Sequence, residues 1–344
     1  MKRVVLYNPG DLRIEEVEIP KPGSGEVVIR NKVTLTCGTD VKTYKNGYRM
    51  DPPYTIGHET AGIVHEVGEG VTKFAVGQRV VAHNSAPCNE CYFCKKGQHS
   101  MCEDLIQNQF TNGGYAEYQL IPERIVQQNM FHIPDEMSYK QAALTEPFAC
   151  AVYGIAEVPI ELGDTIVVNG CGPIGLMFIR LSYLRGARVI ACDLSEERLN
   201  IAKKLGAYHT VNISEVKDQL EAVLDLTENR RGVDIAIEAV GRTEVWDMTI
   251  RMSRSGGTVM LFGGTKKGEA VSIDTALLHY QQLTIKGVFH TTPIHVNAAF
   301  ELLKMGAIKA EDFISENEYS IDQVEEAILS HASGQVVKNT IVYS

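Results

Sequence analysis

The stretch Thr165-Ile-Val-Val-Asn-Gly-Cys-Gly-Pro-Ile-Gly175 decides the fold class of this chain. Its first four residues form a short apolar run that is typical of a buried β-strand. A G-x-G-x-x-G loop follows, and apolar residues then recur at helical spacing, at Ile174, Met177, Phe178, Leu181 and Leu184. This order predicts a dinucleotide-binding βαβ unit, because glycines let the backbone approach a pyrophosphate and the helix N-terminus supplies amide N–H groups.

An acidic residue stands where such a unit needs one. Asp193 ends the strand candidate Arg188–Asp193, eighteen residues beyond Gly175. Its carboxylate can accept hydrogen bonds from both hydroxyls of an adenosine ribose and would repel a 2′-phosphate, so the pattern favours NAD over NADP. The alternative is a tight turn without a ligand, in which Asp193 only caps a strand end. Because strand, loop, helix and acid are in register, we expect cofactor contacts from Gly170, Gly172, Pro173, Ile174, Gly175 and Asp193.

Alternation of strands and helices continues to residue 290. Six strands with intervening helices predict an α/β fold with a doubly wound parallel sheet. Besides the two strands above, the candidates are Thr210–Asn212, Asp234–Ala239, Gly257–Phe262 and Leu283–Val288.

The rest of the chain has a different pattern of predicted secondary structure. Up to about residue 150, short β-like runs alternate with Gly, Pro and long loops, which predicts a β-rich domain. Beyond His290, two helices and a strand are expected to return to that first domain, at Ala298–Met305, Ile321–Ser330 and Gln335–Tyr343.

Length and composition favour a cytoplasmic protein of two domains. The 344 residues exceed what one simple core organises. The net charge of −10 argues against a nucleic-acid partner. No signal-peptide pattern opens the chain, and the most apolar region, Thr165–Ile179, is too interrupted to span a membrane. Cysteines stay reduced in the cytoplasm, so clustered cysteines indicate metal binding.

Four of the eight cysteines lie within Cys88–Cys102, at the spacing C-x2-C-x2-C-x7-C. Four thiolates this close can complete a tetrahedron around Zn²⁺, and such a closed site is structural because it has no open position. An iron–sulfur cluster and a zinc ribbon that contacts nucleic acid are the alternatives. The acidic chain and the dinucleotide domain disfavour both. We therefore predict a structural zinc held by Cys88, Cys91, Cys94 and Cys102.

A second metal site is predicted from residues that lie farther apart. Cys37 ends an apolar strand and His58 opens another segment, and together they offer the thiolate and imidazole that zinc favours. Either Glu59 or Glu146 can supply a third ligand. Pro147 biases the residue before it toward an extended conformation, which would project Glu146 out of any helix. Three protein ligands with one open position form a catalytic zinc site.

The stretch Gly57-His58-Glu59-Thr-Ala-Gly62-Ile-Val-His-Glu-Val-Gly68-Glu-Gly-Val71 resembles the zinc-binding signature of the medium-chain alcohol dehydrogenases. The four-cysteine segment, the glycine loop and the change of texture occur in that family's order, and the resemblance covers the whole chain. Two further motifs, Cys37-Gly38-Thr39-Asp40 and Thr145-Glu146-Pro147-Phe148, are similar to the polyol (sorbitol-type) and threonine dehydrogenases.

The resemblance implies a fold and an assembly. Residues 1–150 and 291–344 would form a GroES-like, zinc-binding catalytic domain, and residues 151–290 an inserted Rossmann domain that binds NAD. The active site would lie in the cleft between them. A homodimer or homotetramer is implied as well, because the edge strand near Leu283–Val288 commonly pairs between subunits in that family.

The resemblance also implies residue roles. Cys37, His58 and one carboxylate, from Glu59 or Glu146, would hold the catalytic zinc, while the other carboxylate would bind through water or exchange onto the metal. Zinc would lower the pKa of a bound alcohol, whose alkoxide would transfer hydride to the nicotinamide. Thr39 matches the hydroxyl that begins a proton relay, although it could instead cap a turn. Further cofactor contacts are expected from Arg198, Val240, Gly263 and Val288.

Departures from the family pattern leave the identity of the substrate alcohol undecided. Lys42 stands where many relatives have a histidine, so it either ends the relay or pairs with cofactor or substrate. His290 and Thr291 replace an Arg-Tyr pair that is frequent in sorbitol-type enzymes, and Gly334-Gln335-Val336 lacks the lysine common at that point. We therefore expect the substrate to be the secondary alcohol of a polyol, cyclitol or sugar-like molecule.

Two other functions compete with this reading. One is L-threonine 3-dehydrogenase, for which Lys42 or His290 would have to bind the substrate carboxylate. The other is a non-catalytic NAD-binding protein of the same fold. The presence of Cys37, His58, Glu59 and Glu146 disfavours the latter, because a protein that had lost its chemistry should have lost zinc ligands.

Overall fold

The computed structural model describes residues 1–47, 53–110 and 113–344. They group into two compact units. The split unit consists of Met1–Ala149 and Thr291–Ser344, and the inserted unit is Cys150–His290. No helix in the described ranges is long and apolar enough to cross a membrane.

The first part of the split unit is rich in strands. Strands β1 to β8 span Lys2–Asn8, Asp11–Glu16, Val27–Leu35, Tyr54–Thr55, Glu59–Val67, Arg79–Ala82, Tyr118–Ile121 and Met130–His132. The helices here are short, and α1 to α5 span Gly38–Asn46, Tyr92–Lys95, Glu123–Gln128, Tyr139–Ala143 and Thr145–Ala156.

The inserted unit alternates strands and helices. Strands β9 to β14 span Thr165–Asn169, Arg188–Asp193, Ala207–Asn212, Val233–Glu238, Ser253–Leu261 and Thr284–Gly287. Helices α6 to α10 span Pro173–Leu184, Glu196–Leu205, Gln219–Asp225, Thr243–Arg251 and Thr275–Tyr280. The chain then returns to the split unit through α11, β15, α12 and β16, at Pro293–Lys304, Glu318–Tyr319, Val324–Ser333 and Thr340–Val342.

The six predicted strands of the inserted unit are confirmed, and they form one parallel sheet in the order β11-β10-β9-β12-β13-β14. The chain starts in the middle at β9, adds β10 and β11 on one side, and then crosses to β12 on the other. The central strand β9 is buried along its whole length, because helices cover both faces of such a sheet. The strand order reverses between β9 and β12, and ligands of open α/β sheets bind outside the carboxyl ends of the strands at that point.

The split unit is built around a mostly antiparallel sheet whose described strands run in the order β15-β16-β3-β5-β6-β8, with β7 also pairing with β3. A second, small sheet has the order β2-β1-β4. In the main sheet, β3, β5, β6 and β7 contribute side chains to a core that includes Val27, Ile29, Val64, Val80 and Ile121. The α/β class predicted from the sequence is therefore confirmed.

The register of the main sheet decides which residues meet at its edge. Leu35 at the end of β3 pairs with Glu59 at the start of β5, and it also pairs with Thr340 of β16. Cys37 follows β3 by two residues, and His58 immediately precedes β5. Three distant parts of the chain thus reach the same edge of one sheet.

Some predicted boundaries were wrong. The last strand covers Thr340–Val342 instead of Gln335–Tyr343, because the residues before it leave the ladder and place Lys338 and Asn339 in buried hydrogen bonds. The helix predicted at Ala298–Met305 begins earlier and spans Pro293–Lys304, where a proline at its first turn is tolerated because that N–H has no partner within the helix.

Candidate metal centre and cofactor-binding edge

Three predicted metal ligands converge at this edge of the split unit. A Cys37 thiol, a His58 ring nitrogen and a Glu59 carboxylate oxygen lie within 4.8 Å of one another. Cys37 is the N-cap of α1, and its sulfur accepts a hydrogen bond from the N–H of Thr39 at 3.4 Å. The thiolate is the form of cysteine that binds metal.

Asp40 holds two of these ligands in place. Its Oδ2 accepts a hydrogen bond from the N–H of Cys37 at 2.9 Å and another from the Tyr115 hydroxyl at 2.7 Å. Its Oδ1 lies 3.5 Å from Nδ1 of His58. A carboxylate at Nδ1 fixes the tautomer of the ring and leaves Nε2 as the nitrogen available to a metal.

Asp40 is almost completely buried, at 2% exposure. Burial opposes its ionisation, but the His58 ring, the Tyr115 hydroxyl and the Cys37 N–H together hold the pKa of Asp40 below its ordinary value. Sequence reasoning did not assign Asp40 a role. A local signal was present, since Asp40 is the third helical residue of a capping box that begins at Cys37.

Glu59 is held by a buried cation. The ammonium of Lys338 donates to both carboxylate oxygens at 2.6 Å and to the carbonyl of Thr36 at 3.0 Å. Lys338 and Glu59 are fully buried. Burial opposes the charge on Lys338, but the Glu59 carboxylate holds the pKa of Lys338 above its ordinary value.

Glu146 occupies a different environment from the one predicted. It lies in the first turn of α5, not in an extended segment outside a helix, because a proline in a first helical turn breaks no intrahelical hydrogen bond. Its Oε1 is 3.7 Å from Nε2 of the buried His83. Burial raises the pKa of Glu146. Glu146 is not among the three ligand atoms that converge with Cys37, so the geometry favours Glu59 as the third ligand.

The other residues expected near the substrate lie on helix α1 and where the inserted unit ends and the split unit resumes. Thr39 and Lys42 are exposed on α1 and three residues apart, which places them on neighbouring turns of one face. His290 adopts a left-handed backbone conformation with φ 64°. The Thr291 side chain is buried, and its hydroxyl donates to the carbonyl of Ala149 at 3.0 Å, so Thr291 serves packing within the split unit.

The four-cysteine segment forms a second ligand set. The sulfurs of Cys88, Cys91, Cys94 and Cys102 lie within 4.8 Å of one another. Backbone N–H groups donate to these sulfurs, as at Cys88, whose thiol accepts from Glu90 and Cys91 at 3.4 and 3.3 Å. Hydrogen bonds from the backbone lower the pKa of Cys91 to about 6. The set fits a tetrahedral Zn²⁺ and leaves no position for a substrate.

In the inserted unit, the glycine loop has the predicted form. Gly172 is the N-cap of α6 and Pro173 is its first residue, and the N-cap residue makes no side-chain capping hydrogen bond. A Cβ on Gly175 would lie 1.8 Å from the carbonyl oxygen of Gly170, so only glycine fits there. Ile174 follows in the first turn of α6. The backbone N–H groups at this helix start are available to an anion such as a pyrophosphate.

The Asp193 carboxylate is held by backbone hydrogen bonds from the glycine loop and from the start of helix α7. Its Oδ2 accepts from the N–H of Cys171 at 2.7 Å, and its Oδ1 accepts from the N–H of Ser195 at 2.9 Å. Ser195 caps helix α7 through the N–H of Arg198, so Arg198 lies in the first turn of that helix. The carboxylate is thereby positioned beside the glycine loop.

The remaining predicted cofactor contacts lie at the carboxyl ends of later strands. Val240 follows β12 and is 41% exposed, and Gly263 follows β13. Val288 follows β14, where its side chain is buried and its N–H donates to the carbonyl of Leu261 at 3.3 Å. All three therefore lie at the sheet edge where a dinucleotide is expected to bind.

A split β-rich unit with two zinc-type ligand sets and an inserted doubly wound unit define a zinc-binding dehydrogenase. Comparison with known families agrees. Residues 23–135 match the alcohol dehydrogenase GroES-like domain, and residues 173–305 match the zinc-binding dehydrogenase domain.

Relatives of known activity cover nearly the whole chain. Sorbitol dehydrogenase from Bacillus subtilis is 32% identical over 95% of this chain and 92% of its own. L-threonine 3-dehydrogenase from Pyrococcus furiosus is 35% identical over 94% and 92%. Among solved structures, a Sinorhizobium meliloti protein assigned as a zinc-binding dehydrogenase and bound to NADP is 30% identical, with a TM-score of 0.91 over 99% of both chains. The chain belongs to the zinc-dependent medium-chain dehydrogenase/reductase superfamily, in its polyol and threonine dehydrogenase branch.

Replacing Lys338 with methionine is expected to destabilise the split unit by about 3 kcal/mol, because the Glu59 carboxylate would stay buried without its partner. Urea unfolding at pH 7 measures this loss. A Glu59→Gln, Lys338→Met double variant is expected to recover part of it, since neither charge is then buried alone. A double variant whose loss equals the sum of the losses of Glu59→Gln and Lys338→Met alone would show that the pair is not coupled.

Proposed function

We propose that this protein is an NAD-dependent dehydrogenase that oxidises the secondary alcohol of a polyol, cyclitol or sugar-like substrate. The observation that carries the proposal is the convergence of Cys37, His58 and Glu59 within 4.8 Å, next to the exposed hydroxyl residue Thr39. One thiolate, one imidazole and one carboxylate suit Zn²⁺ and leave a coordination position for an alcohol.

When bound, Zn²⁺ supplies a Lewis acid for the alcohol oxygen and NAD⁺ supplies the hydride acceptor. The residues of the chain prepare this chemistry. Asp40 orients His58, and Lys338 holds Glu59 at the metal position while balancing its charge. The Thr39 hydroxyl would accept the proton of the alcohol while it releases its own to water, and Lys42, on the next turn of α1, would pair with the cofactor or the substrate.

The structure also supports a preference for NAD. A 2′-phosphate on the adenosine ribose would approach the Asp193 carboxylate, whose two oxygens are fixed by the N–H groups of Cys171 and Ser195 and cannot turn away without breaking those bonds. The NADP found in the Sinorhizobium meliloti protein belongs to that protein.

A second candidate is the oxidation of L-threonine, which the similarity to the Pyrococcus furiosus enzyme favours. This substrate needs a cation for its carboxylate. Lys42 and His290 are the cationic candidates that the sequence offers for it.

We further propose that the protein forms a homodimer through β14. This strand is at the edge of the parallel sheet, and Thr284, Lys286 and Gly287 are exposed there. Light scattering of the purified protein is expected to give at least twice the chain mass of 38.0 kDa. A mass of one chain at micromolar concentration would contradict this assembly.

Asp193→Ser is expected to reduce selectivity for NAD over NADP by about tenfold or more, because the charge that repels the 2′-phosphate is removed. The ratio of kcat/KM for the two cofactors measures it. Asp193→Asn is the matched control for the loop contacts, since its amide oxygen can still accept one of the backbone hydrogen bonds. Unchanged selectivity in both variants would refute the role of Asp193.

The purified protein with NAD⁺ is expected to form NADH from a polyol or cyclitol in a panel that also holds sugar-alcohol phosphates and L-threonine. Cys37→Ser should lose one of two zinc ions per chain and at least about 10³-fold in kcat, because the metal centre is incomplete. Cys94→Ser is the control at the four-cysteine ligand set. This variant should also lose zinc, but it removes no group that takes part in the reaction.

Turnover of L-threonine alone would select the second candidate. If the panel gives no turnover and the wild-type protein holds only one zinc ion, the non-catalytic alternative replaces the proposed function.

A further inference from the structure

A buried carboxylate in the inserted unit has no part in the chemistry described above. Glu238 is the last residue of β12 and is 0% exposed. Its Oε1 accepts hydrogen bonds from the N–H groups of Val240 and Gly241, both at 2.7 Å. Its Oε2 accepts from the N–H of Gly263 at 3.1 Å. One side chain therefore binds the loop after β12 and the loop after β13.

These two loops lie beside the point where the strand order reverses. In the sheet register, Glu238 of β12 pairs with Asn169 of β9 on one side and with Leu261 of β13 on the other. Asn169 leads directly into the glycine loop. The Glu238 carboxylate thus lies at the carboxyl edge where a dinucleotide crosses from one half of the sheet to the other.

The loops after β12 and β13 pack closely against each other, and the β12 loop also packs against the glycine loop. A Cβ on Gly263 would lie 2.2 Å from the nitrogen of Gly241 and 2.6 Å from Oε2 of Glu238. A Cβ on Gly241, where φ is +82°, would lie 2.6 Å from the carbonyl oxygen of Gly264. The Val240 side chain is also close to the glycine loop, since a Cβ on Gly170 would lie 2.6 Å from its Cγ2. A shift of either loop would therefore displace its neighbours.

The chemistry of the contact requires an ionised carboxylate. Three N–H donors face two oxygens, and only a carboxylate offers acceptors alone. Glutamine would turn an NH₂ group toward at least one backbone N–H, which places two donors against each other. Burial raises the pKa of Glu238, and the N–H groups of Gly241, Val240 and Gly263 oppose that rise.

We propose that Glu238 is a positioning residue for the cofactor, whose carboxylate sets the spacing of the β12 and β13 loops so that they fit the nicotinamide half of the dinucleotide. The inference rests on the proposed NAD-dependent function. The two halves of a doubly wound sheet each bind one mononucleotide. Asp193 and the glycine loop lie on the β9–β10 half and serve the adenosine side, so the β12 and β13 loops serve the other.

Trp246 provides a reporter for this arrangement. Its indole Nε1 donates to the carbonyl of Gly263 at 3.0 Å, so it binds the same loop from helix α9. It is the one tryptophan in the sequence. Its fluorescence therefore reports on the Gly263 loop without a label.

The test compares binding of NADH and of AMP to the full-length, zinc-loaded protein by calorimetry. Glu238→Gln is expected to raise the Kd for NADH about tenfold, which corresponds to the loss of one or two buried hydrogen bonds. The Kd for AMP should change less than about twofold, because AMP occupies only the adenosine half. The emission of Trp246 in the absence of ligand should shift in the same variant.

The matched control is Asp234→Asn, at the other end of β12. Asp234 is also a partly buried carboxylate in contact with a backbone N–H, that of Thr165 at 2.7 Å, and with Arg254 at 2.5 Å. Its loss should lower stability and leave the Kd for NADH unchanged. If Glu238→Gln does not fold, Trp246→Phe replaces it, with an expected rise in the Kd for NADH of about threefold from one lost hydrogen bond to the same loop.

Three results would overturn the inference. Equal weakening of NADH and AMP binding would show that Glu238 supports the whole sheet and not one half of the cofactor site. Unchanged NADH binding in Glu238→Gln would show that the loops keep their spacing without the carboxylate. A wild-type protein that binds AMP but no NADH would overturn the proposed function together with this inference, whereas the first two results leave that function standing.

Discussion

The pairing of β3 with β5 and β16 is the constraint on which the metal centre depends. It aligns Leu35 with Glu59 and with Thr340, so the chain segments that carry Cys37, His58 and Lys338 leave the same edge of the sheet. Side chains alternate between the two faces of a strand, so a slip of one residue would turn Glu59 to the opposite face. The aliphatic core beneath β3 and β5 opposes such a slip, because the same slip would expose its buried side chains. Packing thus sets the geometry of the ligands.

The centre is held by charges that the fold keeps out of water. Asp40, Glu59 and Lys338 are buried, and each contacts a partner of opposite charge or a hydrogen-bond donor. Burying a charge costs free energy, and breaking a buried pair costs more than the pair contributes. The arrangement therefore favours a fixed geometry over stability. A zinc site requires fixed groups that hydrogen-bond to the metal ligands, because these groups orient the ligands and set their basicity.

In the inserted unit, backbone N–H groups hold the carboxylates at the carboxyl edge of the sheet in place. Its carboxylates, Asp193 and Glu238, have backbone N–H groups as their main partners, and those N–H groups belong to the loops that follow the strands. Glycines at positions 170, 175, 241 and 263 let these loops approach one another more closely than any side chain would allow. The result is an edge with backbone N–H groups, small residues and one acidic carboxylate, which suits a dinucleotide. The four cysteines between Cys88 and Cys102 bring their sulfurs within 4.8 Å of one another, as a closed zinc site would require.

Local patterns in the sequence determined the α/β class, the six parallel strands and the glycine loop, and they supplied the candidate metal ligands. Each of these depends on residues close in the chain, whose periodicity or spacing carries the information. The tertiary structure alone decided how Glu59 is held, since its partner Lys338 is 279 residues away. It also placed Glu146 in a helix, against the expectation from Pro147, because a proline in a first turn loses no intrahelical bond. Glu238 had no distinctive pattern of its own, and the capping-box position of Asp40 gave only a local signal. Their roles arise from the register of strands and the approach of loops, and these are set by packing across the whole unit.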